Sequence, residues 1–389
     1  MSHLVRTDTL GGALTIPRAV LATERSARAA WSALAEPEDP RVRDLIAEFG
    51  PIEGLLAGLS GRDSKHRIFI ERAARTDLGE ATAFAMRHGI HLLIPGDPEW
   101  PEGVDDLTVP PVCLWVKGDP DLSSLARRSV AIVGARMSTP YGNQVAASMA
   151  AGVVERGYAV VSGAAFGIDK SAHLGALSCG GRTVAVLAGG VDRAYPTAHA
   201  GLIAEIAETG SVMAECAPGW APTRPRFLLR NRLIATMTAG TIVVEAGLRS
   251  GSLNTARSAA RHCRPVGAVP GSVMSQVSAG CHGIVRDGLA TLVCDAKDVL
   301  DLVGVMGVDA APHQSDPVQP EDRLDPVDAI ILAAVPRRGA ASVDTVAFTA
   351  GQTVAEVMGA LARLELGGFV SRHDGGWKRR RSSRREAPS

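Results

Sequence analysis

The 389-residue sequence has no net charge, with 41 Lys and Arg against 41 Asp and Glu. Whole-chain electrostatics therefore announce no polyanion or acidic partner, and any such site has to come from local clustering. Lysine stands only at 65, 117, 170, 297 and 378, so cationic contacts fall almost entirely to arginine. The six cysteines (113, 179, 216, 263, 281, 294) form no C-x-x-C pair. Scattered in mostly apolar stretches, they read as reduced, buried thiols of a reducing compartment and not as a disulfide framework. Cys281-His282 has no further ligands at zinc spacing, so no metal is expected. No apolar run approaches the roughly 20 residues of a membrane span, and residues 1–13 lack a signal-peptide apolar segment. A soluble, cytoplasmic chain without membrane contact is expected. G-x-G-x-x-G is also missing, which argues against a dinucleotide cofactor.

What is present is ordinary globular composition, 46% hydrophobic and 21% charged, in a chain long enough for two or three domains. Residues 1–22 read as a flexible amino-terminus. From 23 to 89 apolar residues recur at helical spacing (Val42, Leu45, Ile46, Phe49), broken at Gly50-Pro51, which predicts a small helical domain. Residues 90–303 form the next domain. Its lead-in to 118, with Pro95-Gly96, Trp100-Pro101 and Pro110-Pro111, is extended and turn-rich. From 129 onward short apolar strands alternate with amphipathic segments: SVAIVG (129–134), YAVVSG (158–163), TVAVLAGG (183–190), SVMAEC (211–216), TIVVEA (241–246), PVGAVPG (265–271) and TLVCD (291–295). Strands apolar throughout are buried on both faces, the mark of a doubly wound, mostly parallel α/β sheet of Rossmann-like type. Residues 304–323, rich in Pro, Asp and Gln, read as a linker. Three short helical patterns near 327–335, 342–349 and 353–366, then a hairpin turning at Asp374-Gly375-Gly376, outline a winged helix over 324–377. Residues 378–389 read as a basic, disordered tail.

Doubly wound sheets bind ligands at the carboxyl ends of their strands, where helix N-termini present free N–H groups. The first strand ends in Gly134-Ala135-Arg136, and Ser138-Thr139-Pro140 then opens a helix with a sound N-cap. The second ends in SGAAFGID (162–169), where Asp169 fits an N-cap and His173 faces either Asp169 or the core. The third leads to Gly189-Gly190. Four arginines, 224, 226, 230 and 232, fall within nine residues with Phe227 among them and no acid. Prolines 218, 222 and 225 are expected to hold this stretch extended until a helix starts at Leu228. Arginine grips phosphate and an aromatic face stacks on a base, the two ingredients of sequence-tolerant single-strand binding. On residue types alone the stretch also suits a solvated basic loop over a packed Phe227. Ser250-Gly251-Ser252 before a helix is a phosphate-cradle candidate. Glu245 would order an arginine of 224–232, touch a ribose hydroxyl, or serve an enzyme as general acid or base.

Taken in order, VGARMSTPYG (133–142), SGAAFGIDKSAH (162–173), VAVLAGGVDRAYP (184–196), FLLRNRLIA (227–235), VVEAGLRSGSLNTA (243–256), AVPG (268–271) and GCHGIVRDGLA (280–290) closely resemble the DprA (DNA-processing protein A, DprA/Smf) family. The likeness extends upstream through LLIPGDPEWPEGV (92–104). The resemblance implies a protein, not an enzyme and without cofactor, that binds and shields single-stranded DNA regardless of sequence. It further implies loading of RecA recombinase onto incoming DNA in natural transformation and recombination, homodimerisation, and single-strand-binding protein as a further partner. The family's DNA pocket carries over onto Arg136, Ser138, Gly163, Ala164, Phe166, Gly167, Arg226, Phe227, Arg230, Asn231, Arg232, Ser250, Gly251 and Ser252. The flanks would be a SAM-like or helix–hairpin–helix module and a DprA-type winged helix. Departures from the family pattern are Leu228-Leu229 in place of a Pro-containing approach, His199 where Asn is common and Asn254 where an apolar residue is frequent.

The alternative is a nucleotide enzyme similar to the LOG, or lysine-decarboxylase-like, phosphoribohydrolases, which share a related sheet. Their P-G-G-x-G-T-x-x-E signature is matched here only by AVPGSVMSQVSAG (268–280), without the second glycine or the glutamate. For the winged helix, duplex DNA and a protein are both candidate partners. Its third helix sets Glu356 and Glu365 against Arg363, a poor endowment for reading a groove.

Overall fold

The structure, a computed structural model, describes residues 4–9, 12–304, 320–373 and 375–380. The chain divides into two compact units, 1–311 and 312–389, within the stretch expected as a linker, most of which lies outside the described residues.

The first unit opens with an antiparallel hairpin of β1 (Leu4–Thr9) and β2 (Gly12–Pro17) where a flexible amino-terminus was expected. The reason is burial: Ile16 and Val20 enter an apolar core with Trp31, Leu55, Leu59 and Phe69. That core belongs to α1 (Glu24–Leu34), α2 (Pro40–Leu59), α3 (Arg67–Ala73) and α4 (Glu80–Arg87). Thr23 caps α1 through a reciprocal bond pair with Ser26. α2 kinks at Gly50, whose φ of 80° suits glycine, and resumes at Pro51. Trp31 and Phe69 meet edge to face at 5.3 Å. The opposite face of these helices is not free: Ala29 and Ala33 of α1 and Ala81 and Ala85 of α4 share a core with Trp115, Ala185 and Leu187 of the sheet. The change at residue 89 is one of secondary structure and not of packing.

After α4 come β3 (Ile90–Leu93), β4 (Leu114–Gly118), α5 (Leu122–Arg127), β5 (Ser129–Gly134), α6 (Pro140–Val154), β6 (Ala159–Ser162), α7 (Ile168–Ser178) and β7 (Thr183–Leu187). Then follow α8 (Ala200–Thr209), β8 (Ser211–Ala214), α9 (Arg224–Met237), β9 (Gly240–Val244), α10 (Ser252–Arg261), β10 (Val266–Ala268), α11 (Ala279–Arg286), β11 (Thr291–Leu292) and α12 (Ala296–Val303). The nine-stranded sheet runs β11-β10-β9-β5-β6-β7-β8-β4-β3. It is parallel from β11 to β8, and the lead-in supplies the two antiparallel strands β4 and β3. β5 shows why: Val130 and Ile132 face Met149 and Val153 of α6, while Ala131 and Val133 face Leu233 of α9 and Leu253 of α10. Each such buried Val or Ile contributes roughly 1.5–3 kcal/mol. From β5 the chain winds outward through β8, then returns over α9 to place β9 on the other side of β5. The β5/β9 boundary is therefore the topological switch point.

The second unit has α13 (Pro326–Ala334), α14 (Val343–Ala350) and α15 (Val354–Leu366), then β12 (Val370–His373) paired with β13 (Gly376–Arg379). Ile331, Leu332, Val346, Val357, Leu361, Leu364 and Trp377 form its core. This is the winged-helix outline; Asp374 of the expected turn and the tail beyond residue 380 lie outside the described residues.

Among the described residues no helix is long and apolar enough to cross a membrane. The cysteines divide evenly: 113, 216 and 281 are buried, whereas 179, 263 and 294 are exposed. The exposed three sit just past element ends, where a thiol has no facing layer.

Candidate nucleic-acid interface

A cleft of about 1060 Å³ opens at the switch point. The turn after β5 (Gly134, Ala135, Arg136), the turn after β9 (Gly247, Leu248, Arg249, Ser250) and the first turns of α9 and α10 line it. Five arginines, 136, 224, 230, 249 and 257, border this space, and Asp169 is the one carboxylate among its described lining residues. Low-dielectric walls focus such a field on an anion. On one side Phe227 stands with Tyr195, ring centroids 5.5 Å apart, and the Arg136 guanidinium lies 4.8 Å from the Phe227 ring. Ser250 and Ser252 exchange a 2.7 Å hydroxyl bond at the start of α10, and Asn231 Nδ2 donates to the Gly251 carbonyl at 3.3 Å. The cleft thus combines cation, aromatic face and helix N-terminus.

Its floor is pre-set. Arg230 is buried, and its Nη1 donates to the Val186 carbonyl at 2.7 Å. Gly163 makes this possible, because a Cβ there would lie 1.8 Å from Arg230 Nη1. Burial lowers the Arg230 guanidinium to about 10, against the opposing pull of Asp169, so it stays charged at neutral pH. Burial raises the Asp169 carboxyl, while Arg230 and the backbone N–H groups of Ala165 and Gly163 pull it back. Those N–H groups donate to Oδ2 at 3.4 and 3.1 Å. Asp169 is consequently a loop clamp, not the expected N-cap; Gly167 occupies that position. His173 turns to the core: its Nδ1 bonds Thr183 Oγ1 at 2.8 Å. Thr183 spends its own hydrogen on the Val160 carbonyl, so His173 donates from Nδ1. Two strand ends beside the cleft carry left-handed non-glycine residues, Ala164 and Glu245, each at φ 53°. Such conformations cost on the order of 1–3 kcal/mol and are held by their surroundings. Here His199 Nδ1 donates to the Ala164 carbonyl at 2.9 Å, and Thr139 holds the Glu245 side chain.

The comparisons with known proteins agree on one family. The model of DNA recombination-mediator protein A matches residues 91–304, and the DprA winged-helix model matches 315–376. A DNA processing protein DprA of Mycobacterium tuberculosis is 41% identical over 370 residues, 90% of this chain and 93% of that protein. The chain belongs to the DprA family. The X-ray structure of DNA processing protein A from Streptococcus pneumoniae superposes with a TM-score of 0.62 at 33% identity, covering 73% of this chain and 99% of that one. A Helicobacter pylori DNA processing protein A, whose structure was studied for its single-stranded DNA binding mode, gives a TM-score of 0.50 at 29% identity, covering 55% of this chain and 94% of that one.

Of the residues carried over from DprA, the cleft brings together Arg136, Phe227, Arg230, Asn231, Ser250, Gly251 and Ser252. Gly163, Ala164 and Gly167 shape its loop from behind. Ser138 is turned to Asn143 (2.5 Å), and Phe166 packs edge-on against His199 at 4.6 Å, outside the lining. Two arginines expected in the pocket are engaged elsewhere in this structure. Arg226 donates from Nε and Nη2 to Glu36 at 2.9 and 3.0 Å and from Nη1 to the Ala221 carbonyl, with its guanidinium 4.2 Å from the Trp220 ring. Arg232 is buried against Glu215, at 2.8 and 2.7 Å. α9 begins at Arg224, with Pro225 tolerated in its first turn, not at Leu228. Arg226 and Arg230, one turn apart, share a face of α9, and what separates them is the partner each meets, Glu36 and Trp220 for Arg226 and the Val186 carbonyl for Arg230. Glu245 orders none of them; it accepts from Thr139 N at 2.8 Å and from Thr139 Oγ1, pinning the start of α6. Glu245 thus does not stand free in the cleft, and the family assignment does not favour the phosphoribohydrolase alternative.

Arg224, Arg249, Arg257, Tyr195 and Asn254 also line the cleft, although the DNA pocket carried over from the family does not include them. Asn254 and Arg257, at i and i+3 on one face of α10, could have been found from that spacing. Cys281 and His282 point to different carbonyls, those of Val243 and Gly271. Among the described residues no group of three or more His, Cys, Asp or Glu is disposed to hold a metal ion.

Proposed function

We propose that this chain is a single-stranded-DNA-binding recombination mediator acting without catalysis. The observation that carries the reading is the cleft's five arginines and single, clamped carboxylate around Phe227 and Tyr195. Arginines at several levels suit a backbone of successive phosphates, and the aromatic pair suits unstacked bases of any identity. The H. pylori relative's single-stranded DNA binding supports the same ligand. On this reading the protein works in the cytoplasm as a homodimer. It shields incoming strands and loads RecA on them during natural transformation and recombination, with single-strand-binding protein as a further partner.

The test is fluorescence anisotropy of labelled oligo-dT and of a duplex across salt. Wild-type protein should prefer the single strand, with affinity falling steeply as salt rises because several phosphates are neutralised. Arg136→Ala combined with Arg249→Ala should weaken binding broadly. No binding of oligo-dT at low salt would end the proposal.

A further inference from the structure

The basic surface continues past the cleft. α9 and α10 pack side by side and contain no Asp or Glu; of their six arginines, Arg226, Arg230 and Arg232 are spent inside the fold, which leaves Arg224, Arg257 and Arg261 at the surface. Arg257 of α10 lines the cleft; Arg261 lies four residues on, on the same face and about 6 Å further along the axis. Both are exposed, and neither has an ion-pair partner among the described residues. Some exposed arginines elsewhere are answered by an acid, as in Arg67–Glu71, Arg87–Glu80 and Arg182–Asp119, whereas Arg257 and Arg261 stay open in line with the cleft. A cation in the last turn offsets the helix dipole, which accounts for Arg261 alone. It does not account for Arg257 in mid-helix, or for two adjacent helices without an acid. The run stops at Arg264, whose guanidinium Asp106 takes at 2.6 Å.

We infer that the outer face of α10 is a second contact segment for the polyanion, which leaves the cleft between Arg224 and Arg257 and follows α10 to Arg261. This rests on the single-strand reading of the cleft and extends it. The ligand chemistry is the phosphodiester backbone alone, since this part of the path offers cations but no aromatic face.

The test compares oligo-dT of about 4 and about 16 nucleotides, the span of site sizes of single-strand-binding folds, on wild-type protein and on Arg261→Glu and Arg261→Ala. Because Arg261 is exposed and unpartnered, Arg261→Ala should melt close to wild type, and Arg261→Glu only slightly lower, since an acid in the last turn opposes the helix dipole. The 16-mer should bind Arg261→Glu about 10-fold more weakly, and Arg261→Ala should lower its log–log salt slope by about 0.7, one phosphate's worth. The 4-mer should bind all three proteins alike. Unchanged 16-mer affinity, or an equal loss on both lengths, overturns the inference while leaving the cleft intact. Failure of wild type to bind either oligonucleotide overturns the cleft reading and this inference together.

Discussion

Arg136 and Arg226 both belong to the DNA pocket carried over from the family, yet their surroundings give opposite expectations for Arg136→Ala and Arg226→Ala. Arg136 is exposed, lines the cleft and makes no ion pair among the described residues, so its loss should remove one phosphate contact. The log–log salt slope should drop by about 0.7 and fold stability should hold within about 0.5 kcal/mol. Arg226 already spends its donors on Glu36 and the Ala221 carbonyl. Partial burial pushes the Glu36 carboxyl up, yet Arg226 and Arg72 together hold it below the usual carboxylate range. Glu36 keeps 40% of its side chain exposed, so solvent screens the pair. A loss of about 1–2 kcal/mol is therefore expected, below the range for fully buried charged hydrogen bonds. Binding should weaken modestly, through the tilt of Phe227, without a change of salt slope. Urea unfolding and anisotropy over 50–300 mM salt (roughly the window where phosphate contacts are read) measure both quantities. If Arg226→Ala lowers the slope as much as Arg136→Ala and leaves stability untouched, the Glu36 pair opens on binding and this assignment of roles is refuted.

Phe227→Ala should cost about 1–3 kcal/mol of binding at every salt concentration, the worth of one stacked base, with the salt slope preserved in the same anisotropy titration. Gly163→Ala should destabilise the fold by at least about 1–3 kcal/mol, since the new methyl must displace the buried Arg230 side chain; denaturant midpoints report it. Burial holds the His173 imidazole down at about 3, with Arg230 and His199 adding to the effect. The unfolded chain takes up a proton near 6.5 that the fold refuses, so this contribution is full above 6.5 and is lost as pH falls toward 3. The slope is at most about 1.4 kcal/mol per pH unit; His173→Asn should flatten that acid limb, and an unchanged limb would refute the attribution. Ending the chain at residue 311 should leave oligo-dT affinity within about twofold of the full chain. Arg363 of α15 is tied to Asp328 at 3.0 and 2.6 Å, and α15 otherwise presents Met358, Glu365 and Leu366. A steep drop in affinity would assign the second unit to DNA.

The sheet was legible because its strands are apolar on both faces, a pattern that few other environments tolerate. The cleft's location followed from Gly134, Gly163 and Ser250-Gly251-Ser252 at successive strand ends. The direction of individual side chains did not follow. Four arginines within nine residues read alike in one dimension, and Arg226 and Arg230, one turn apart on one face of α9, are told apart only by what they meet: the Val186 carbonyl for Arg230 and Glu36 for Arg226. The partner that captures Arg226, Glu36, is 190 residues away in sequence. The hairpin at residues 4–17 was missed for a related reason: among its described side chains, Leu14 and Ile16 pack against helices that follow in sequence.

The alanine face shared by α1, α4 and the sheet bears on how such a protein can be rebuilt. Starting the chain at residue 90 would bare Trp115, Ala185 and Leu187 and strip Arg226 of its carboxylate in one cut. The amino-terminal helices are thus a graft that has taken, not a cartridge. A chimera carrying another protein's amino-terminal segment would need small side chains against Trp115 and an acid facing Arg226 before its DNA cleft could keep its shape.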